Sequence, residues 1–207
     1  MEVKMITLYH APFSRSSAIV AAVEEMDLLD RVQIRIVDIR RQDGSGGRDP
    51  ANPHPDGKVP ALDHDGQIVT ERPAILSYLS EVFPDAPAIA APGSAERGAF
   101  LTWLAWYGDV MEPVLMVHAA KVDGPIFQAG FRGVEEMNAR IADTLSDGRP
   151  YLLKQGFTVA DLLVVSPYTY FPDEVPEIPA FRDWVARVTA RASMQNVVAR
   201  DTQARAA

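Results

Sequence analysis

Residues 57–62 read Gly57-Lys58-Val59-Pro60-Ala61-Leu62, a short apolar run with a proline inside it. Because proline cannot donate to a β-ladder, such a run is a poor central strand. One solution is an edge strand with an ordinary trans proline, which the sequence Lys-Val-Pro alone favours, since only about 5–6% of X-Pro bonds are cis. The other is a cis Val59–Pro60 bond at the mouth of a strand. That bond would leave the backbone N–H and C=O of Val59 free to pair with an extended peptide ligand.

The sequence on either side of this run predicts an α/β unit. Apolar periodicity and turn residues indicate a strand, a helix and a strand before it, and a hairpin and a helix after it. The predicted elements are a strand at 3–9, a helix at 14–26, a strand at 32–37, a loop at 42–57, the short run at 58–62, a turn at 65–66, a strand at 67–70 and a helix at 71–83. The first strand–helix–strand segment predicts parallel pairing through a right-handed crossover.

The second half of the chain predicts helices only. Residues 85–93 contain prolines and a glycine and are expected to form a linker. Residues 94–207 are expected to form an all-helical domain, and Pro113 is expected to kink its first helix. The predicted helices lie at 94–120, 127–145, 158–165 and 181–189.

Composition excludes several classes of function. Of the 207 residues, 47% are hydrophobic and 23% are charged, and the net charge is −8. This balance argues against a nucleic-acid surface and against attraction to anionic lipid, because both need a basic face. We see no signal-peptide pattern and no run near the ~20 apolar residues of a membrane span, so we expect a soluble cytoplasmic protein.

Cysteine is absent from the chain. Disulfides, thiolate metal sites and a thiol nucleophile of the protein's own are therefore excluded. The four histidines show no ligand spacing, so no metal site is expected.

The order of these segments resembles that of the cytosolic glutathione S-transferases, in a bacterial-type form without cysteine. The segments that carry the resemblance are Leu8-Tyr9 with the serine-rich helix start, Asn52-Pro53, residues 57–62, Thr70-Glu71-Arg72-Pro73-Ala74-Ile75 with Tyr78-Leu79, and Phe157-Thr158-Val159-Ala160-Asp161. The resemblance implies a thioredoxin-like βαβ-ββα domain over residues 1–84 and an all-α domain over 94–207, the glutathione transferase fold. It also implies a homodimeric detoxification enzyme. Thr158 and Asp161 fit a capping box, which we assign to structure.

The same resemblance places glutathione, as co-substrate, on five residues. Val59 matches the position whose backbone pairs with the cysteinyl part, Pro60 matches the family's cis-proline, and Lys58 lies where a polar side chain often reaches the glycyl end. Glu71 matches the acid that holds the γ-glutamyl amine, although a first-turn acid also stabilises a helix dipole. Arg72 lies at a position where the family commonly has serine. The backbone N–H at the helix N-terminus is therefore still present, but the serine hydroxyl is absent. The Arg72 side chain either substitutes as a donor or points into solvent.

A glutathione transferase also needs a group that keeps the bound thiol ionised. Without cysteine, Ser14 is the first catalytic candidate and Ser16 the second, with Tyr9 as an outsider. Counted back from Glu24-Glu25, the serine position of several classes falls on Phe13. Either the loop differs by one residue and Ser14 serves, or a backbone N–H acts alone. The alternative is that the serines only cap the helix.

The second substrate, a small hydrophobic electrophile, is expected in a pocket lined by the loop after the first strand and the first helix of the second domain. The candidate residues are Pro12, Phe13, Trp103, Tyr107 and Met111. The last three share one helix face, an arrangement that is more often core or dimer interface.

Three functions follow from this sequence. The first is glutathione conjugation to an electrophile. The second is a non-catalytic binding or regulatory protein, which the residues at positions 13 and 72 favour. The third is a glutathione-dependent isomerase, dehalogenase or disulfide reductase. Resemblance in fold alone does not separate them.

Overall fold

The computed structural model describes residues 5–130 and 133–206. Its strands are β1 (Ile6–His10), β2 (Val32–Ile36), β3 (Ala61–His64) and β4 (Gln67–Thr70). Its α-helices are α1 (Ser17–Glu25), α2 (Arg72–Val82), α3 (Arg97–Trp106), α4 (Glu112–Ala119), α5 (Pro125–Gly130), α6 (Val134–Leu145), α7 (Val159–Val165), α8 (Pro179–Thr189) and α9 (Ala192–Ala206).

These elements divide into two compact units, Met1–Ala88 with Ala190–Ala207, and Ile89–Thr189. The sheet, α1, α2 and α9 belong to the first unit, and α3 to α8 belong to the second. The domain boundaries predicted from sequence stay a prediction. The structure adds that the chain returns at its end, since α9 packs against α1 and groups with the first unit.

The first unit is built on a mixed sheet of strand order β2-β1-β3-β4. β1 and β2 are parallel, and the β1–β3 and β3–β4 pairs are antiparallel. Leu8 and Leu62 lie opposite each other on the central strands, and both are fully buried. The predicted α/β fold class with a helical second part is confirmed. The strand predicted at 3–9 is observed from Ile6 onward, and residues 3 and 4 lie outside the described ranges.

Two element boundaries in this unit differ from the sequence prediction. The first helix begins at Ser17, not at Ser14, because Phe13 adopts a left-handed φ of 53° and the chain turns before the helix starts. β3 begins at Ala61, not at Lys58, because a cis Val59–Pro60 bond precedes it. The cis alternative for Pro60 is therefore the one that the structure adopts.

The predicted helix at 94–120 is interrupted in the second unit. α3 and α4 are separated by a π-helical turn over Tyr107–Met111. Pro113 lies in the first turn of α4, and its missing N–H removes a hydrogen bond to the preceding turn. The wide turn lies where that bond is lost. The helix predicted at 127–145 is observed as α5 and α6, with residues 131 and 132 outside the described ranges.

The start of α7 matches the predicted capping box. The buried Asp161 carboxylate accepts hydrogen bonds from the N–H groups of Thr158, Leu152 and the Trp184 indole, each at 2.9 Å. Asp161 thus ties the start of α7 to α8 and to the preceding loop, which is the structural role expected for it.

Candidate functional site

The segment before β3 leaves one residue's backbone unpaired. The Val59–Pro60 bond is cis, and the side chain of Val59 is nearly buried. Among the described residues, the N–H and C=O groups of Val59 make no hydrogen bond. Because unpaired backbone polar groups at a strand end are suited to an extended ligand, Val59 offers a donor and an acceptor for β-type pairing.

Two buried side chains that the sequence did not single out for this role hold the loop before Val59. The Asn52 side chain donates to the Lys58 carbonyl at 3.0 Å and accepts the His54 N–H at 3.0 Å. His54 in turn accepts the Asp56 N–H at 3.0 Å through Nδ1. The Lys58 side chain itself is exposed. In the sequence, an asparagine followed two residues later by a histidine is only a weak indication of this role. Their hydrogen bonds to the loop are evident only in the folded structure.

Glu71 occupies the N-cap position of α2 in a strained conformation and makes no side-chain cap hydrogen bond. Its φ is 65° and its ψ is 127°, which is uncommon for a residue with a Cβ. Its side chain is exposed, and within the described residues its carboxylate has no hydrogen-bond or ion-pair partner. Strained residues cluster at ligand sites, so this geometry favours a binding role over a purely helical one.

Arg72 is buried, with 6% of its surface exposed. The alternative in which its side chain points into solvent is therefore wrong. Arg72 occupies the first position of α2, where backbone N–H groups have no partner within the helix and attract anions.

The serine-rich turn between β1 and α1 brings the two catalytic candidates together. Ser14 is half-buried and Ser16 is fully buried. Their hydroxyl oxygens lie 2.7 Å apart, and the Ser16 N–H donates to the Ser14 hydroxyl at 3.2 Å. Ser16 is the N-cap residue of α1, but its hydroxyl makes no side-chain cap hydrogen bond to the helix.

Ser16 leads from this pair into a buried network. Its hydroxyl lies 2.7 Å from His10 Nδ1, and His10 Nε2 lies 2.9 Å from Asp201 Oδ1. Asp201 Oδ2 accepts the Ser17 hydroxyl at 2.6 Å and the Phe13 N–H at 2.7 Å. All the side chains of this network belong to the first unit, because α9 supplies Asp201. Sequence reasoning missed His10 and Asp201, since a lone histidine and a distant acid carry no local motif.

Asp201 is an anion within this network. Burial by itself raises the pKa of Asp201, and the hydrogen bonds from His10, Ser17 and the Phe13 N–H outweigh it, so the pKa lies below its ordinary value. Glu25, a second acid at the contact between α1 and α9, also has a lowered pKa. Burial opposes ionisation of Glu25, but hydrogen bonds from Arg191 and Ser193 hold its pKa below its ordinary value.

Comparison with known proteins gives a family match for most of the first 88 residues. The family model described as "Glutathione S-transferase, N-terminal domain" matches residues 4–81. Residues 4–81 are therefore similar to the N-terminal domain of the glutathione S-transferases. The predicted resemblance to the glutathione transferases is confirmed.

Individual relatives are similar to most of this chain. Protein LigF from Sphingobium sp. is 25% identical, with 70% of this chain and 74% of that protein covered. A glutathione S-transferase-like protein from Aspergillus aculeatus is 28% identical over 69% of this chain and 74% of that one. The solved structure of a sphingomonad glutathione S-transferase complexed with glutathione has a TM-score of 0.73 at 24% identity, with 95% of this chain and 98% of that chain covered. This last likeness shows that the whole chain has the glutathione transferase fold.

Two of the five residues predicted for the second-substrate pocket lie beside the serine turn of the first unit. Pro12 is buried, and its carbonyl accepts a hydrogen bond from the Arg41 guanidinium at 3.2 Å. Phe13 is 36% exposed, and the Arg205 guanidinium lies 5.7 Å from its ring centre. Phe13 thus offers an apolar ring next to Ser14, while its N–H is committed to Asp201.

The other three predicted pocket residues lie in the second unit and are buried there. Tyr107 and Met111 expose 1% and 0% of their surface, and Trp103 packs edge-to-face on Trp106 at 5.2 Å. Their role in a pocket stays a prediction. A cavity of about 600 Å³ lies among α4, α5 and α6, lined by residues such as Val114, His118, Phe127 and Glu136, and the three predicted residues do not line it.

Within residues 5–130 and 133–206, no helix has the length and apolar content needed to cross a membrane. In the same described part of the chain, no three His, Asp or Glu side chains are placed to hold a metal ion together.

Proposed function

We propose that this chain binds glutathione and stabilises its thiolate for attack on a small electrophilic substrate. The observation that carries the proposal is the unpaired backbone of Val59, which lies before β3 in a glutathione S-transferase N-terminal domain. An unpaired donor and acceptor on one residue fit the cysteinyl part of a peptide.

The remaining contacts to glutathione follow from charge. The exposed, unpartnered Glu71 carboxylate suits the γ-glutamyl ammonium. The backbone N–H groups at the start of α2, from Arg72 onward, suit the γ-glutamyl carboxylate. The exposed Lys58 suits the glycyl carboxylate, since an ammonium attracts an anion even when it is partly solvated.

The chemistry that the protein must supply is ionisation of a thiol. A free thiol has a pKa near ~8.5, so only a few per cent is thiolate at neutral pH. A hydroxyl that donates to the sulfur stabilises the anion. Ser14 is our candidate for this donor because it is half-buried, whereas Ser16 is fully buried behind it.

Binding to immobilised glutathione, with the affinity measured by calorimetry, tests the first half of the proposal. A screen of electrophiles and disulfides then tests the second half. Retention with turnover of an electrophile is the expected result. Absence of retention would contradict the roles proposed for Val59 and Glu71.

A non-catalytic glutathione-binding protein is the second candidate function. Phe13 stands where several classes of the family carry serine, and its N–H is held by Asp201. Glutathione affinity without turnover across the screen would favour this candidate, whereas turnover of a disulfide or a halogenated substrate would favour the related reductase or dehalogenase reactions.

From the resemblance we also propose a cytoplasmic homodimer. Light scattering on the purified protein measures its mass in solution. A mass of one chain would contradict the dimer.

A further inference from the structure

Four polar groups form a chain from the core to the serine turn, in the order Asp201, His10, Ser16 and Ser14. The successive distances are 2.9 Å, 2.7 Å and 2.7 Å. Asp201, His10 and Ser16 are buried, and Ser14 is half-buried. Ser14 is therefore the member through which this hydrogen-bond network reaches a ligand.

The hydrogen-bond partners decide where the protons lie. The Asp201 carboxylate accepts from Phe13 and Ser17 on one oxygen, and as an anion it has no proton to give, so His10 Nε2 must donate to the other. A neutral His10 then has Nδ1 free as an acceptor. The Ser16 hydroxyl donates to it at 2.7 Å in preference to the Ala11 carbonyl, which is 3.4 Å away.

The hydrogen-bonding capacity of the Ser16 hydroxyl is filled in either of the two directions in which the four groups can donate. It accepts the Ala11 N–H at 3.2 Å, which leaves one further lone pair and one proton. With a neutral His10, Ser16 donates to His10 and accepts from Ser14. With an imidazolium at His10, Ser16 accepts from His10 and donates to Ser14. The second arrangement turns the Ser14 proton outward.

We propose that His10, held by Asp201, is the remote acceptor of the proton from a thiol bound at Ser14, which it reaches through the Ser16 and Ser14 hydroxyls. This inference rests on the proposed function. His10, Ser16 and Asp201 act through Ser14, so they are positioning residues and not groups that touch the substrate.

The proton transfer balances without any further reactant. The thiol S–H bond breaks and its proton passes to the Ser14 oxygen. The Ser14 proton passes to Ser16, and the Ser16 proton passes to His10 Nδ1. The products are a thiolate that accepts a hydrogen bond from Ser14 and an imidazolium that is paired with the Asp201 carboxylate. One step thus makes the anion and aligns its donor.

The surroundings of His10 suit this role. The Asp201 carboxylate of α9 faces it directly, and the neutral hydroxyl of Ser16, the N-cap residue of α1, faces it from the other side. On β2, its ladder partner is the uncharged Ile36. Three arginines act on residues near His10: Arg35 lies 5.8 Å from the centre of the Tyr9 ring, Arg41 donates to the Pro12 carbonyl, and Arg205 lies 5.7 Å from the centre of the Phe13 ring. An imidazolium therefore finds its counter-ion already in contact.

Nitrogen-15 NMR of the His10 ring in the intact protein tests the proposal without a variant. The expected result is an unprotonated Nδ1 in the free protein that becomes protonated when glutathione binds at neutral pH. A ring that stays neutral in the complex would overturn the proposal. Glutathione binding measured in the same sample separates this failure from that of the proposed function, since absence of binding removes both.

Two variants provide an independent test. The quantity measured is the pH at which bound glutathione becomes thiolate, which ultraviolet absorbance reports. His10→Gln preserves a donor for Asp201 and an acceptor for Ser16 but takes up no proton. We expect it to raise the pKa of the bound thiol by about one unit, a tenfold loss of thiolate below that pKa. Ser193→Ala removes another α1–α9 hydrogen bond, which is partly buried and 2.6 Å long to Glu25, and which lies outside the network of four groups. Equal thiol pKa values in the two variants would overturn the proposal.

Discussion

Asp201 lies 191 residues after His10 in the sequence, and the two side chains are joined by a 2.9 Å hydrogen bond in the core of the first unit. The same carboxylate also accepts the Ser17 hydroxyl and the Phe13 N–H, so the last helix fixes the turn that carries Ser14. The Asp201 carboxylate is thus both a structural anchor for this turn and a member of the proposed proton relay.

Asp201→Asn is expected to destabilise the protein. The amide replaces one carboxylate oxygen by a donor, so a buried N–H or O–H of this network loses its acceptor, at a cost of about 2–3 kcal/mol. Urea unfolding followed by circular dichroism measures the free energy. Thr202→Ala, an exposed neighbour whose hydroxyl bonds only within α9, is the matched control and should stay within about 0.5 kcal/mol of the wild type. Similar values for the two variants would contradict the anchoring role.

Ser14→Ala is expected to raise the pKa of bound glutathione and to lower kcat/KM. Loss of one hydrogen bond to an anion costs about 1.5–3 kcal/mol, which corresponds to about a 10- to 150-fold loss of rate. Initial rates against pH give both quantities. Ser146→Ala, an exposed serine of the second unit, is the control. Unchanged rate and pH profile in Ser14→Ala would show that Ser14 is not the activator.

Glu71→Gln is expected to weaken glutathione binding about 10-fold or more, because the γ-glutamyl ammonium loses a charged partner while the side-chain size and the strained backbone are kept. Calorimetry measures the affinity. Asp85→Asn removes an equal charge from an exposed position just after α2 and should bind like the wild type. If Glu71→Gln bound as tightly, Glu71 would be only a helix-terminal acid.

Acidification is expected to destabilise the contact between α1 and α9. The pKa values of Glu25 and Asp201 lie below their ordinary values in the folded protein. Because a depressed acid pKa means that the unfolded state binds more protons, stability is fully present above about pH 4–5 and is lost as the pH falls through the folded pKa values. Thermal unfolding between neutral and acid pH measures this slope.

Glu25→Gln is expected to flatten that slope, because the variant has no carboxylate to protonate at the Arg191–Ser193 contact. Asp30→Asn, at an exposed position after α1, provides the comparison and should keep the wild-type slope. A wild-type slope in Glu25→Gln would show that this contact does not govern acid stability.

Much of the first unit was predictable from local sequence. The strand–helix–strand order, the hairpin around Asp65-Gly66 and the helix after Glu71 follow from periodicity and turn residues, and all are observed. The Val-Pro pair became informative through the segments around it, since the bond is cis although the isolated sequence favours trans.

Other features required the folded chain. The π-helical turn at Tyr107–Met111 and the start of α1 at Ser17 differ from the periodicity of the sequence because Pro113 and the backbone of Phe13 override it. The burial of Arg72 was also not predictable from the sequence. A residue in the first turn of a helix faces solvent or protein according to which other elements pack on it.

The α/β order of the first unit, the proline before β3 and the absence of any cysteine all follow from the amino-acid sequence alone, so a thiol in the proposed chemistry has to come from a ligand. The hydrogen bonds that link Ser14 through Ser16 and His10 to Asp201 exist only in the folded chain. The difference arises from distance along the chain. A helix or a turn is set by neighbours a few residues apart, whereas the partner of a buried histidine depends on where the last helix returns.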